Sequence, residues 1–256
     1  MEIIIGLLII AVGAFCQSSC YVPINKIKNW SWESYWIVQG VFAWLVFPFL
    51  GALLAVPDGH SLFEVYAAHP ADTLWAMFFG VLWGVGGLTF GLSMRYLGVA
   101  LGQSISLGTC AGLGTILTPI FTGHMEELTM PVIVGVIVTL LGIGIIGYAG
   151  NMKSASLSEE EKKKAVKDFN FTKGIFVALL AGFMSACFSI GLGFGQSLCF
   201  PESAEVYKTL PATLMVTAGG FLTNMVYCFY QNEKNKTWGD YGKTSLYVNN
   251  LSLIHI

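Results

Sequence analysis

Charge is what this sequence has least of. Only 11% of its 256 residues are Asp, Glu, Lys or Arg and 55% are hydrophobic, whereas a soluble domain carries about 25% charged residues. The signatures of the common hydrolases are also missing: there is no H-E-x-x-H, no G-x-S-x-G and no phosphate-binding loop. The four histidines, His60, His69, His124 and His255, are scattered over polar stretches. One string, Gly142-Ile-Gly144-Ile-Ile-Gly147, has the G-x-G-x-x-G spacing. It lies inside an apolar run with no strand before it, so it cannot form the strand, turn and helix N-terminus that cradle a pyrophosphate. No enzymatic activity, no cofactor, no metal and no nucleic-acid partner are expected.

What the chain does have is long apolar runs. An α-helix needs about 20 apolar residues to cross about 30 Å of hydrocarbon, and seven runs meet that demand, at residues 2–22, 34–56, 73–94, 98–121, 130–150, 174–197 and 211–230. They are too long and continuous for barrel strands, and lipid cannot satisfy an open backbone. The expected fold is therefore an all-α integral membrane protein with about seven transmembrane helices.

The few charges orient it. Twelve of the 13 Lys and Arg residues fall in alternate gaps: Lys26 and Lys28 in the first, Arg95 in the third, Lys153 to Lys173 in the fifth, and Lys234, Lys236 and Lys243 in the seventh. The sixth holds only Lys208. Short loops rich in basic residues stay cytoplasmic, so the N-terminus is expected outside. Met1-Glu2 offers no basic region of a signal peptide. Trp30, Trp32 and Trp36, with Tyr21 and Tyr96, cluster at cytoplasmic helix ends, where interfacial aromatics gather.

The six cysteines, Cys16, Cys20, Cys110, Cys187, Cys199 and Cys228, lie in or at the ends of predicted helices. Free, buried thiols are expected there, since no histidine accompanies Cys16 and Cys20 on their shared face.

A polar segment at 151–173 divides the chain. Ser158-Glu-Glu-Glu161 followed by Lys162-Lys163-Lys164 predicts a short surface helix with a capping box and i, i+4 pairs Glu159–Lys163 and Glu160–Lys164. On either side there is an internal echo. Gly6-Leu-Leu-Ile-Ile-Ala-Val-Gly-Ala-Phe15 aligns without gaps to Gly174-Ile-Phe-Val-Ala-Leu-Leu-Ala-Gly-Phe183. A repeat of five helices would place two copies in opposite orientations, as in many secondary transporters. Residues 1–150 then form a first repeat, 151–173 a cytoplasmic connector and 174–245 part of a second. The closing Leu251-Ser-Leu-Ile-His-Ile256 resembles an in-frame sequencing adapter, so 246–256 is a doubtful tail and a C-terminal truncation is expected.

Glycine spacing points to close helix packing, at Gly80 with Gly84, Gly87 with Gly91, Gly108 with Gly112, and Gly191 with Gly195. Polar side chains within spans are costly in lipid and face a bundle interior or cavity. Gln17, Gln39, Thr89, Gln103 and Asn224 come from five helices, each about one and a half turns from the predicted cytoplasmic end. Two readings stand: each satisfies a neighbouring helix, or together they line a site for a neutral polyhydroxylated ligand, since amides and hydroxyls both donate and accept. Trp44, Trp83 and Phe90 could offer a sugar ring an apolar platform, or simply pack. Acidic residues stay at helix ends, Glu33 and Asp72 among them, and Arg95 closes the third helix. Glu33 is the available proton-coupling group, with Arg95 or a nearby lysine as its partner.

Four strings carry a resemblance. Lys28-Asn-Trp-Ser-Trp-Glu-Ser-Tyr-Trp36, Leu82-Trp-Gly-Val-Gly-Gly87, Phe90 with Gly91-Leu-Ser-Met-Arg-Tyr-Leu-Gly98, and Gly112-Leu-Gly-Thr-Ile-Leu-Thr-Pro119 are similar to the L-rhamnose-proton symporter family of the drug/metabolite transporter superfamily. The resemblance implies a bacterial inner-membrane carrier of ten helices in a 5+5 inverted repeat, importing L-rhamnose with a proton. It makes Trp32, Glu33, Trp83, Arg95 and Tyr96 candidate family-motif positions. Phe90 stands where the family often has Tyr, which leaves the exact sugar open. A metabolite or drug exporter of the same superfamily, and a non-transporting membrane sensor or assembly protein, are the alternatives. The partners expected are a small sugar, a proton and the lipid bilayer.

Overall fold

The computed structural model describes residues 2–19, 30–156 and 168–243, and every regular element among them is a helix. In chain order these are α1 (Glu2–Ser19), α2 (Trp32–Leu54), the short α3 (Leu62–Ala68), α4 (Pro70–Leu97), α5 (Val99–Thr122), α6 (Met130–Ser156), α7 (Phe171–Phe194) and α8 (Leu210–Asn235). Six of them, α2 and α4 to α8, are long and apolar enough to cross a bilayer, and α1 adds a shorter apolar stretch, Ile4–Cys16. The membrane-protein fold read from the sequence is therefore observed, with helix limits displaced by a few residues. The connector helix expected near 158–164 and the tail at 246–256 lie outside the described residues.

Local chemistry explains the boundaries. Pro70, Pro131 and Pro211 occupy first turns, where a missing N–H costs nothing. Asn170 caps α7, its side-chain oxygen accepting the Lys173 amide at 3.0 Å. Between α4 and α5 the chain turns through Gly98 at φ 82°, ψ 162°, a region essentially restricted to glycine.

Helix α2 is not uniform. Val41–Val46 winds as a π-helix between two α-helical segments, and the Phe47 amide bonds back to the Phe42 carbonyl. Pro48 follows at once. Its ring would clash with the carbonyl four residues earlier, at Trp44, and the wider π turn relieves that clash. Such bulges are frequent at functional sites.

By internal contacts the chain falls into two units: Met1–Phe47 with Met225–Ile256, and Pro48–Asn224. In the second unit, α7 packs along α4 and α5 through a face of small residues that includes Gly174, Ala178, Ala181, Gly182, Ala186 and Gly191. Two helix backbones meet directly. A Cβ on Gly80 would overlap the Val216 carbonyl, and one on Gly219 would overlap the Met77 carbonyl. The Thr223 hydroxyl ties the same pair, donating to the Val81 carbonyl at 2.8 Å.

The four glycine pairs read from spacing behave differently. Gly80 and Gly84 lie against α8, Gly191 and Gly195 against side chains of α4 and α8, and Gly108 and Gly112 against Ile143 and Leu140 of α6. Gly87 and Gly91 meet nothing within 4 Å among the described residues, so for that pair the expected packing is not observed there. Spacing reports which residues share a helix face, but not what the face meets.

Exposed apolar side chains run the length of α6, from Ile133, Val134, Ile137 and Val138 to Leu141 and Ile145. That surface suits lipid and not water. Of the cysteines, Cys187 and Cys228 are buried free thiols, Cys110 and Cys199 are half-buried, and Cys16 is exposed. Burial of Cys16 is thus not observed; Cys20 lies outside the described residues.

Candidate proton and substrate sites

The first unit holds a buried polar cluster built around Glu33. Ser31 stands at the N-cap of α2 in an extended conformation and Glu33 lies in the first helical turn, where the partial positive charge of the helix end faces a carboxylate. Glu33 is only 5% exposed. The Asn235 side-chain amide and the Thr237 hydroxyl both donate to its Oε1, each at 2.9 Å. These donors are neutral. Arg95, one of the ion-pair partners anticipated for Glu33, has its Nε on Asp168 Oδ2 at 2.5 Å, while the nearby Lys26 and Lys28 lie outside the described residues.

The end of α8 delivers those donors. Lys236 takes a left-handed conformation, φ 57°, and the Thr237 amide bonds the Asn232 carbonyl at 3.0 Å, the six-to-one closure of a Schellman turn. The turn reverses the chain and brings Thr237 back beside Asn232 and Glu33. A non-glycine residue there costs about 1–2 kcal/mol, so the turn is held against local preference.

From Thr237 the network continues. Its hydroxyl lies 2.7 Å from Asn232 Oδ1. That same oxygen accepts the Ser34 hydroxyl at 3.1 Å, and Asn232 Nδ2 donates to the Tyr241 hydroxyl at 2.8 Å. Ser34 and Asn232 are fully buried. Beyond them Asp240 accepts the Ser31 amide at 2.9 Å and the Lys243 ammonium at 2.6 Å. Burial works to raise the Asp240 carboxyl, but the Lys243 and Ser31 bonds outweigh it and bring it down to about 2.

One buried polar atom of α2 lacks a partner. Gln39 is 6% exposed and its Oε1 accepts no hydrogen bond from any described residue. It lies two residues before the π-helical stretch. A buried carbonyl left unpaired costs about 1–3 kcal/mol.

The other candidates divide between the units. Gln17 belongs to α1, and its side chain lies outside the described residues. Thr89 donates its hydroxyl to its own helix, at Val85 and Gly86, and the buried Asn224 donates to Gly220 at 2.8 Å. Gln103 is half-buried on α5. Trp83 packs on Phe188 with ring centroids 5.0 Å apart. Trp32 stacks on Trp36 and meets Tyr227 edge-on, while Trp30 is buried. Tyr96 lies under the Lys173 ammonium, 4.7 Å from its ring centroid.

Sequence reasoning missed Asn232, Asn235, Thr237 and Asp240, which lie in the polar gap after the seventh apolar run. It also missed Ser93 and Ser106, a buried hydroxyl pair 3.3 Å apart joining α4 to α5.

A profile described as L-rhamnose-proton symport protein matches residues 1–247. The chain belongs to that family. Among curated relatives it is similar to the L-rhamnose-proton symporters of Yersinia pestis bv. Antiqua (strain Antiqua) and Yersinia pseudotuberculosis serotype O:1b (strain IP 31758). Each is 32% identical over 237 residues, covering 89% of this chain and 67% of the relative. No solved structure matches. Within the symport-protein family, the matched region includes Trp32, Glu33, Trp83, Arg95 and Tyr96 and runs through the α8 turn that carries Thr237.

Proposed function

We propose that this chain is a proton-coupled carrier that imports L-rhamnose, or a related sugar, across a bacterial inner membrane by alternating access. The N-terminus faces outside, residues 1–150 form one five-helix repeat, 151–173 a cytoplasmic connector, and 174–245 belong to the inverted second repeat. Family membership supports the symport reading. The structural observation that carries it furthest is Glu33: a buried carboxylate whose side-chain donors among the described residues are both neutral. Such a group can be neutralised by a proton without stranding a buried cation, which a coupling site requires.

Gln39 is the next member of the site. Its unpaired Oε1 is the acceptor that a sugar hydroxyl would satisfy on entering. Trp83, Thr89, Gln103, Asn224 and Gln17 are the remaining substrate candidates, and Arg95 a gating candidate through its tie to Asp168. Uptake of labelled L-rhamnose into vesicles carrying this chain, with and without an inward proton gradient, tests the reading. Gradient-dependent uptake that Glu33→Gln abolishes is expected. Uptake indifferent to the gradient would sink symport, and normal coupled uptake by Glu33→Gln would move the proton site elsewhere.

A further inference from the structure

The Thr237 hydroxyl has one proton and two acceptors within reach, Glu33 Oε1 at 2.9 Å and Asn232 Oδ1 at 2.7 Å. A hydroxyl donates once and accepts as well, so it can serve only one of these oxygens at a time. We propose that Thr237 is a two-position hydroxyl relay that matches the buried network to either protonation state of Glu33, an inference that rests on Glu33 being the proton site.

With Glu33 ionised, the Thr237 O–H points at Oε1 beside the Asn235 amide, and Asn232 Oδ1 keeps the Ser34 hydroxyl. A proton taken from water then forms an O–H bond at Glu33 Oε1 and reverses the direction of that contact. Glu33 donates to Thr237 Oγ, and the Thr237 O–H, released, rotates to Asn232 Oδ1. No bond other than the new carboxyl O–H is made and none but that of the donating hydronium is broken. In neither state is a buried polar atom of the relay left unpaired, which would otherwise cost the full desolvation of that group. Asn232 anchors the far end, because its amide is fixed on Tyr241.

Among the described residues, the charged and titratable neighbours of Glu33 are Asp240, whose like charge repels that of Glu33 and is itself paired with Lys243, and the Cys228 thiol on α8. Both stay in place through the rearrangement. The relay therefore predicts that the hydroxyl, and not the methyl, of Thr237 controls how Glu33 titrates.

The experiment is a pH titration of the Glu33 carboxyl band by infrared difference spectroscopy in lipid, with Glu33→Gln as the subtraction. Thr237→Val keeps the shape and removes the hydroxyl; it should displace the midpoint by about one pH unit or more. Thr237→Ser keeps the hydroxyl and loses the methyl; it should titrate as the wild type does. Asn232→Leu should displace the midpoint only when Thr237 is present, leaving Thr237→Val unchanged. A Thr237→Val midpoint equal to wild type, or a Thr237→Ser midpoint displaced as far as that of Thr237→Val, would overturn the relay. The band reports protonation whether or not sugar moves, so failed uptake with a displaced Thr237→Val midpoint would retire the symport reading and leave the relay standing.

Discussion

Asn235 donates its side-chain amide to Glu33 Oε1 at 2.9 Å, joining the last residue of α8 to the first turn of α2 across 202 residues of sequence. A hydrogen bond to a charged group contributes about 1.5–3 kcal/mol. Asn235→Ala removes one of the two donors on that oxygen and leaves Thr237 to hold it alone. Initial rates of gradient-driven uptake should fall by about tenfold, the equivalent of about 1.4 kcal/mol. Asn235→Asp should fall further, because it sets a second carboxylate against the first. Unchanged rates in both variants would remove Asn235 from the site.

Gln39 makes a prediction of two opposite signs. Its buried Oε1 has no partner among the described residues, so Gln39→Leu relieves an unsatisfied group and should raise thermal stability by about 1 kcal/mol or more. If the same oxygen receives a sugar hydroxyl, that variant should also lose sugar affinity by about tenfold or more, since the hydroxyl then enters without an acceptor. Thermal unfolding with and without L-rhamnose reads both effects in one preparation. A stabilised variant that still shifts with sugar as the wild type does would free Gln39 from substrate binding.

Much of the architecture was legible because the membrane imposes a threshold on length and polarity. The long helices fall within a few residues of the apolar runs, and Gly98 closes α4 where the Met94-Arg-Tyr-Leu-Gly98 string ends. The short α3 in a polar gap and the π turn before Pro48 give no periodic signal. Nor could the sequence pair Glu33 with Thr237, 204 residues away; it offered Arg95 or a nearby lysine as the partner because opposite charge is the only affinity visible without coordinates. Thr89 illustrates the converse. It is polar and within a span as read, yet its proton is committed to its own backbone.

Two glycine pairs of identical spacing separate contact from composition. Gly80→Ala drives a methyl into the Val216 carbonyl, whereas Gly87→Ala and Gly91→Ala enter open space. Overpacking of this kind costs about 1–3 kcal/mol, and a backbone carbonyl cannot step aside as a side chain can. Thermal melts in detergent should show Gly80→Ala clearly destabilised and the other two unchanged or slightly stabilised, as expected when alanine replaces glycine in a helix.

Lys236 holds the turn that presents Thr237, at a φ of 57° that disfavours any side chain. Lys236→Gly should stabilise the protein by about 1 kcal/mol and leave the Glu33 titration in place. A destabilised Lys236→Gly would mean that the lysine side chain supports the turn by more than its backbone strain costs.

Asp240 carries the pH dependence of the same corner. Its carboxyl is brought from an ordinary 3.8 down to about 2, burial being outweighed by Lys243 and Ser31. A carboxylate depressed on folding contributes stability that is fully present above its unfolded value and is lost as the pH falls through its folded one. The window is therefore about pH 4 to 2, and neutral pH lies outside it. Hydrogen exchange at the Ser31 amide, which donates to Asp240, should be slow above that window and quicken relative to the core of α7 on descending through it. Asp240→Asn should show the quickened exchange at every pH, because the amide can no longer accept Ser31 and Lys243 as an anion does. An Asp240→Asn variant with wild-type protection at neutral pH would show that the Ser31 tie does not depend on the charge.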